Sequence, residues 1–162
     1  MSLTAIAHAI LFLALANGMP VLAKRALGHT AAWPVDGGVL LRDGRRLLGK
    51  SKTWRGVALG CVAPALAAPW LGLSWQVGAL FGAAAMAGDL LSSFVKRRVG
   101  VAASGRAPAL DQLPEALLPL LVCRDALGLD LFGVIVGAAL FWGANAGLSP
   151  LLHRLGVRDQ PY

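Results

Sequence analysis

GVALGCVAPALAAPWLGLSWQVGALFGAAAMAGDLLSSFV, residues 56–95, carries one charge, Asp89, in 40 positions. About 20 helical residues, rising 1.5 Å each, cross a hydrocarbon layer of about 30 Å, so this stretch is long enough for two crossings. Pro69 and then Gly72-Leu-Ser74 break it near the middle with turn-forming residues. The reading is a helical hairpin in a membrane, with Gly78 and Gly82 spaced to let its two limbs approach closely.

Working outward, residues 3–23 are 21 consecutive uncharged positions and form a first span. No basic residue precedes that run, whereas Lys24-Arg25 follows it, the pattern of a retained helix and not of a cleaved signal. Downstream, a shorter apolar segment covers 113–128, and another covers 131–152 with Gly143, Gly147 and Pro150 inside it. The expectation is an all-α integral membrane protein, one domain over residues 1–162, with about five transmembrane helices and its ends on opposite sides. Composition agrees: 57% hydrophobic and 14% charged residues, with mean hydropathy +0.66, exclude an ordinary soluble globule. Cys61 and Cys123 have no metal-ligand or redox spacing and read as small core residues.

The charge is concentrated. Segment 24–55 holds eight basic and two acidic residues and segment 96–112 holds four and one, so these two connections carry more than the whole net charge of +7. Basic residues in short loops stay on the cytoplasmic side, which puts both loops in one compartment of a multi-pass cell-membrane protein. Attraction to anionic headgroups accounts for a single Lys or Arg. It does not account for Asp36, Asp43, Asp89 and Asp111 among them, with Gly and Ser alongside.

Gly44-Arg-Arg-Leu-Leu-Gly49-Lys50-Ser51 matches the Walker A string, but a P-loop needs a strand, a helix and a parallel sheet, which the connection 24–55 cannot hold. Its freed backbone amides, with Lys50, Lys52 and Arg55, still suit a phosphate chain. Asp89, Ser92, Ser93 and Lys96 fall at i, i+3, i+4 and i+7, on one helix face. A carboxylate inside a span costs roughly 2.5–3.5 kcal/mol, so Asp89 needs either a function or a partner such as Lys96. Asp111 precedes Leu113-Pro114-Glu115 and either caps the fourth span or folds back to share a metal with Asp89. Carboxylate, hydroxyl and phosphate oxygens are what Mg²⁺ prefers. His8, His29 and His153 lack ligand-spaced partners, Asn17 and Asn145 read as helix–helix glue, and Arg124-Asp125 as a local charge pair.

Four stretches together resemble the CDP-archaeol synthase family, membrane cytidylyltransferases of the CarS type related to the CDP-diacylglycerol synthases. They are Pro34-Val-Asp36-Gly37-Gly38, Asp43 through Gly56, Gly88-Asp89 through Arg98, and Pro108-Ala-Leu-Asp111-Gln112-Leu113-Pro114. The resemblance implies Mg²⁺-dependent transfer of a cytidylyl group from CTP to a lipid phosphate, giving a CDP-lipid and pyrophosphate for phospholipid biosynthesis. It implies Asp89 and Asp111 as metal-binding carboxylates, with Lys96 acting beside them in catalysis. Asp43, Gly49, Lys50, Lys52, Thr53, Arg55, Ser93 and Arg97 are then the residues on the nucleotide and its phosphates. CTP and the lipid phosphate are the expected partners and no nucleic acid is expected; the sequence leaves open whether copies form a homo-oligomer.

Two other readings compete. CDP-alcohol phosphotransferases share the charge layout, but their D-G-x-x-A-R signature is broken at Asp43-Gly44-Arg45-Arg46-Leu47-Leu48. A non-enzymatic membrane scaffold or transporter subunit needs only the spans and basic loops, and would tolerate loss of Asp89 and Asp111.

Overall fold

The computed structural model describes the backbone of residues 2–101 and 108–154, and the side chains of 2–101 and 112–149. Its helices are α1 (Leu3–Leu27), α2 (Trp54–Ala67), α3 (Trp75–Arg98), α4 (Pro108–Val122), the short α5 (Arg124–Leu127) and α6 (Leu131–Arg154). The described residues contain no strand beyond two isolated bridges in the connection between α1 and α2.

The hairpin forms as its sequence dictates. Thr53 caps α2 by accepting a hydrogen bond from Gly56 N at 3.2 Å, satisfying one of the orphan donors of the first turn. Beyond Ala67 the chain tightens into one 3₁₀ turn, Ala68–Leu71, with Pro69 inside it, and Gly72 at φ +73° reverses the direction. α3 then returns along α2 with backbones nearly touching. A Cβ on Gly78 would lie 2.2 Å from the Pro64 carbonyl oxygen, and one on Gly82 would lie 2.5 Å from that of Gly60. The expected close packing through Gly78 and Gly82 is what the structure has.

α3 lies against α1, α2 and α4, while α6 packs on α4 and α1. Ala5, Ala9, Phe12, Leu13 and Ala16 form the buried stripe of α1, at helical spacing, and Phe12 meets Phe81 of α3 with ring centroids 5.3 Å apart. Cys123 is buried and Cys61 half-buried among apolar side chains. Outward-facing Trp70, Phe132, Ile135 and Leu140 leave an apolar surface suited to lipid.

Apolar helices occupy all the segments expected to cross, but only α1, α3 and α6 are long and apolar enough to do so by themselves. α2 has 14 residues, with Pro64 inside, and reaches full length only through its 3₁₀ turn. α4 has 15 residues, with Pro114 and Pro119 inside, and stops at Cys123 before α5. It also starts at Pro108, earlier than 113, so Asp111 lies within its first turn instead of preceding it. α6 runs unbroken through Gly143 and Gly147. Arg124 and Asp125 form the local pair expected, at 3.1 Å.

Candidate active site

The connection 28–53 is a folded cover built from short-range contacts. Antiparallel bridges join Pro34 to Thr53 and Leu40 to Arg46, closing a small loop whose tip carries Asp43. Asp36 sits inside it, 4% exposed, with four donors aimed at its carboxylate. One oxygen accepts from Gly38 N (3.0 Å) and Arg46 Nη2 (2.7 Å), the other from Leu48 N (3.1 Å) and Gly49 N (2.9 Å). Burial alone would raise the Asp36 pKa, but the hydrogen bonds from Gly49, Gly38, Arg46 and Leu48 outweigh it and hold the carboxyl at about 2.

This cover is clasped to the C-terminal end of α3 by an exchange of arginines. Arg45 Nη1 donates to the carbonyls of Arg97 and Arg98 (3.2 and 3.0 Å), satisfying the open end of the helix. Arg98 reciprocates, with Nη2 on the Arg46 carbonyl (2.6 Å) and Nη1 on both oxygens of Asp43 (2.9 and 2.8 Å). The Asp43 carboxyl is held below its ordinary range, foremost by the hydrogen bond from Arg45 N and then by the Arg98 charge. The basic connection after α1 and the basic end of α3 therefore lie together, as their charge pattern suggested.

Beneath the cover, between it and the helices, is a cavity of about 1000 Å³. Lys50, Lys52, Thr53, Arg55 and Asp89 of the expected site residues line it. Lys52 Nζ lies 2.6 Å from both carboxylate oxygens of Asp89, each group about one-fifth exposed. Asp89 thus has a cationic partner from the cover, 37 residues away, a pairing that helical spacing could not suggest. Arg55 is committed to the start of the connection, donating to the carbonyls of Gly28 (3.2 Å) and Thr30. A smaller cavity of about 360 Å³ adjoins, lined by Arg45, Arg46, Gly49, Lys50, Arg97 and Gly100, with Val101 at its edge. Arg46 and Lys50 border both cavities, and among the described residues no acid lines the smaller one.

The structure does not bring every expected residue to these cavities. Asp43 is outside both and holds Arg98; Ser93 is buried on α3, and neither it nor Lys96 lines either cavity. The side chain of Asp111 lies outside the described residues. Sequence reasoning missed Asp36 as the organiser of the cover and Glu115 as a second acid on the main cavity. Glu115 is brought in by a close approach at Gly88, which sequence does not reveal: a Cβ there would lie 2.2 Å from the Pro114 carbonyl oxygen and 2.9 Å from Glu115 Cα. That backbone contact brings the residue before Asp89 against the residue before Glu115. Asn17 and Asn145, read as helix–helix glue, also face the cavity.

Among the described residues no three His, Cys, Asp or Glu side chains cluster as a complete metal cage. Mg²⁺ does not need one, being held commonly by one or two carboxylates together with phosphate oxygens and water. Asp89 grips the Lys52 ammonium with both oxygens, so the site already seats a cation, and Glu115 adds a second carboxylate to the same cavity. The donor set fits a hard divalent ion.

Apolar helices around an ionisable cavity, beneath a basic cover, make a membrane protein with an enclosed polar chamber. Residues 3–77 and 71–162 match the family model described as CarS-like, CDP-archaeol synthase. The chain is 48% identical over 137 residues to a CDP-archaeol synthase of Methanopyrus kandleri, covering 80% of this chain and 79% of that one. It is 34% identical over 162 residues to one of Thermococcus onnurineus, covering 91% and 89%. A solved structure described as an intramembrane enzyme for archaeal membrane lipids biosynthesis superposes with a TM-score of 0.71 at 37% identity, covering 86% of this chain and 89% of the other. The chain belongs to the CarS-like CDP-archaeol synthase family.

Proposed function

We propose that the protein transfers a cytidylyl group from CTP to the phosphate of an ether-linked lipid, forming a CDP-lipid of the CDP-archaeol type and releasing pyrophosphate. Family membership supports the reaction class, and the relatives' shared name supports the ether lipid. The observation that carries the assignment to this cavity is the Lys52–Asp89 pair, a carboxylate and an ammonium at the meeting of apolar helices and basic cover.

In the reaction an oxygen of the lipid phosphate attacks the α-phosphorus of CTP, and the bond from that phosphorus to the β-phosphate oxygen breaks. Lipid phosphate is ionised at neutral pH, so no protein nucleophile is required. The chain's task is to bring anions together and hold them in line. Lys52, at the main cavity, offsets charge at the reacting phosphates. Lys50 and Arg97 hold the departing polyphosphate in the smaller cavity, and Gly49 lets the backbone come close. Thr53 and Arg55 keep α2 and the connection in register, while Asp43 acts through Arg98 to anchor the cover. Arg97, on the last turn of α3, completes the phosphate end, with Ser93 and Lys96 on the same turns outside the two cavities. Asp89 would hold Mg²⁺ with Asp111, and Glu115 lines the same cavity as Asp89. Bound there, the ion would neutralise phosphate charge and polarise the bond to the leaving group.

The basic connections would face the cytoplasm, where CTP is supplied, with the lipid tails remaining in the cell membrane. The test is purified protein in liposomes with radiolabelled CTP, Mg²⁺ and a panel of ether- and ester-linked lipid phosphates. Formation of a labelled CDP-lipid with release of pyrophosphate is expected, and best with the ether lipid. Conversion of none of them would reject the reaction.

A further inference from the structure

Asp36 is the buried acid of a cover in which bases outnumber acids. A carboxylate near an anion site opposes binding unless its effect on geometry is worth more than its charge. Asp36 is fully enclosed, its side chain 0% exposed, and its four hydrogen-bond donors come from both limbs of the loop: Gly38 on the outgoing limb, Arg46, Leu48 and Gly49 on the returning one. The carboxylate therefore closes the loop and fixes where its second limb ends. The next residue is Lys50, which borders both cavities.

Two details make this a directed arrangement. Gly49 has φ +108°, and a Cβ there would meet nothing within 4 Å, so the demand for glycine is conformational and not spatial. The hydrogen bond from Gly49 N to Asp36 holds that conformation, and so sets the direction in which the chain enters Lys50. Arg46, the other residue common to both cavities, has its charge offset by Asp36 at 2.7 Å. The acid thus cancels one cation while aiming another.

We propose that Asp36 is a positioning residue for the nucleotide, acting through Gly49 to present the Lys50 ammonium to the CTP polyphosphate where the two cavities meet. This rests on the cytidylyltransferase reading, and it assigns a role to a residue that never touches substrate.

The test is a double-mutant cycle on CTP affinity, measured by equilibrium binding of labelled CTP with Mg²⁺ to the full chain in detergent. Asp36→Asn and Lys50→Ala are each expected to weaken binding by about 10-fold, the loss of one charged hydrogen bond. The double variant is expected to be no more than about threefold weaker than the poorer single, because both remove the same interaction. A merely structural Asp36 would give independent losses that multiply to about 100-fold, which overturns the proposal, as does unchanged affinity in Asp36→Asn. If Asp36→Asn fails to fold, Gly49→Ala redirects Lys50 with Asp36 intact. The same non-additivity with Lys50→Ala is expected, and independent losses again overturn the proposal. A wild type that binds CTP but converts no lipid phosphate counts against the transferase reading alone; one that binds no CTP overturns both.

Discussion

The Lys52 ammonium lies at 2.6 Å from each oxygen of Asp89, so both oxygens of the carboxylate within the bundle are already engaged by a cation from the cover. A divalent ion using the same oxygens competes with Lys52 for them, and an ammonium displaced in that competition would be available to phosphate. Lys52→Met, of similar length and uncharged, is expected to bind Mn²⁺ about tenfold more tightly than wild type without nucleotide, read by electron paramagnetic resonance. Asp89→Asn is expected to lose that binding and to lower turnover by at least about 100-fold with normal membrane insertion.

Gly88 sets the distance between α3 and α4. Gly88→Ala puts a methyl where the Pro114 carbonyl already stands, and backbone cannot yield as a flexible side chain would. Overpacking of this kind costs about 1–3 kcal/mol. A lower melting temperature in detergent is expected, together with reduced activity, because Asp89 and Glu115 sit on the two strained segments. A melting temperature equal to wild type would contradict the close approach.

Asp43 gives a way to separate anchoring from substrate contact. If it serves only to hold Arg98, then Arg98→Gln should reproduce the kinetic defect of Asp43→Asn, and the double variant should be no worse than either. Independent defects in kcat/KM would return Asp43 to the nucleotide.

The carboxyl of Asp36 titrates at about 2 in the folded protein against 3.8 ordinarily. A depressed acid contributes stability that is present above its unfolded pKa and is lost as pH falls through the folded one. The contribution, on the order of 2 kcal/mol, is therefore complete at neutral pH and disappears between about pH 4 and pH 2. Acid-induced loss of CTP binding is expected in that window for wild type. Asp36→Asn should show a smaller dependence there.

The residues differ in how far they could be read from sequence. The hairpin was legible because apolar length, a proline-glycine break and the Gly78/Gly82 spacing are local properties of one stretch. The true extent of α4 was not, since Pro114 and Pro119 weaken its helical signal while Pro108 starts it. Lys50, Lys52 and Asp89 could be assigned to an anion- and cation-handling site by type. That Lys52 and Asp89 pair directly could not, because it depends on how the cover folds over the bundle. Asp36 was visible as an acid among bases, but its four donors come from Gly38, Arg46, Leu48 and Gly49, three of them as backbone amides that leave no mark in composition.

The glycines of α3 have a mechanical corollary. At Gly78, Gly82 and Gly88 the chain presses directly on the backbones of α2 and α4, with no layer of side chains able to compress or rotate. Those two seams are stiff. α6 also packs against α1, and Asn17 and Asn145 on those two helices border the interior chamber. Any change in the shape of the bundle therefore has to be taken up elsewhere than along the α2–α3 and α3–α4 seams.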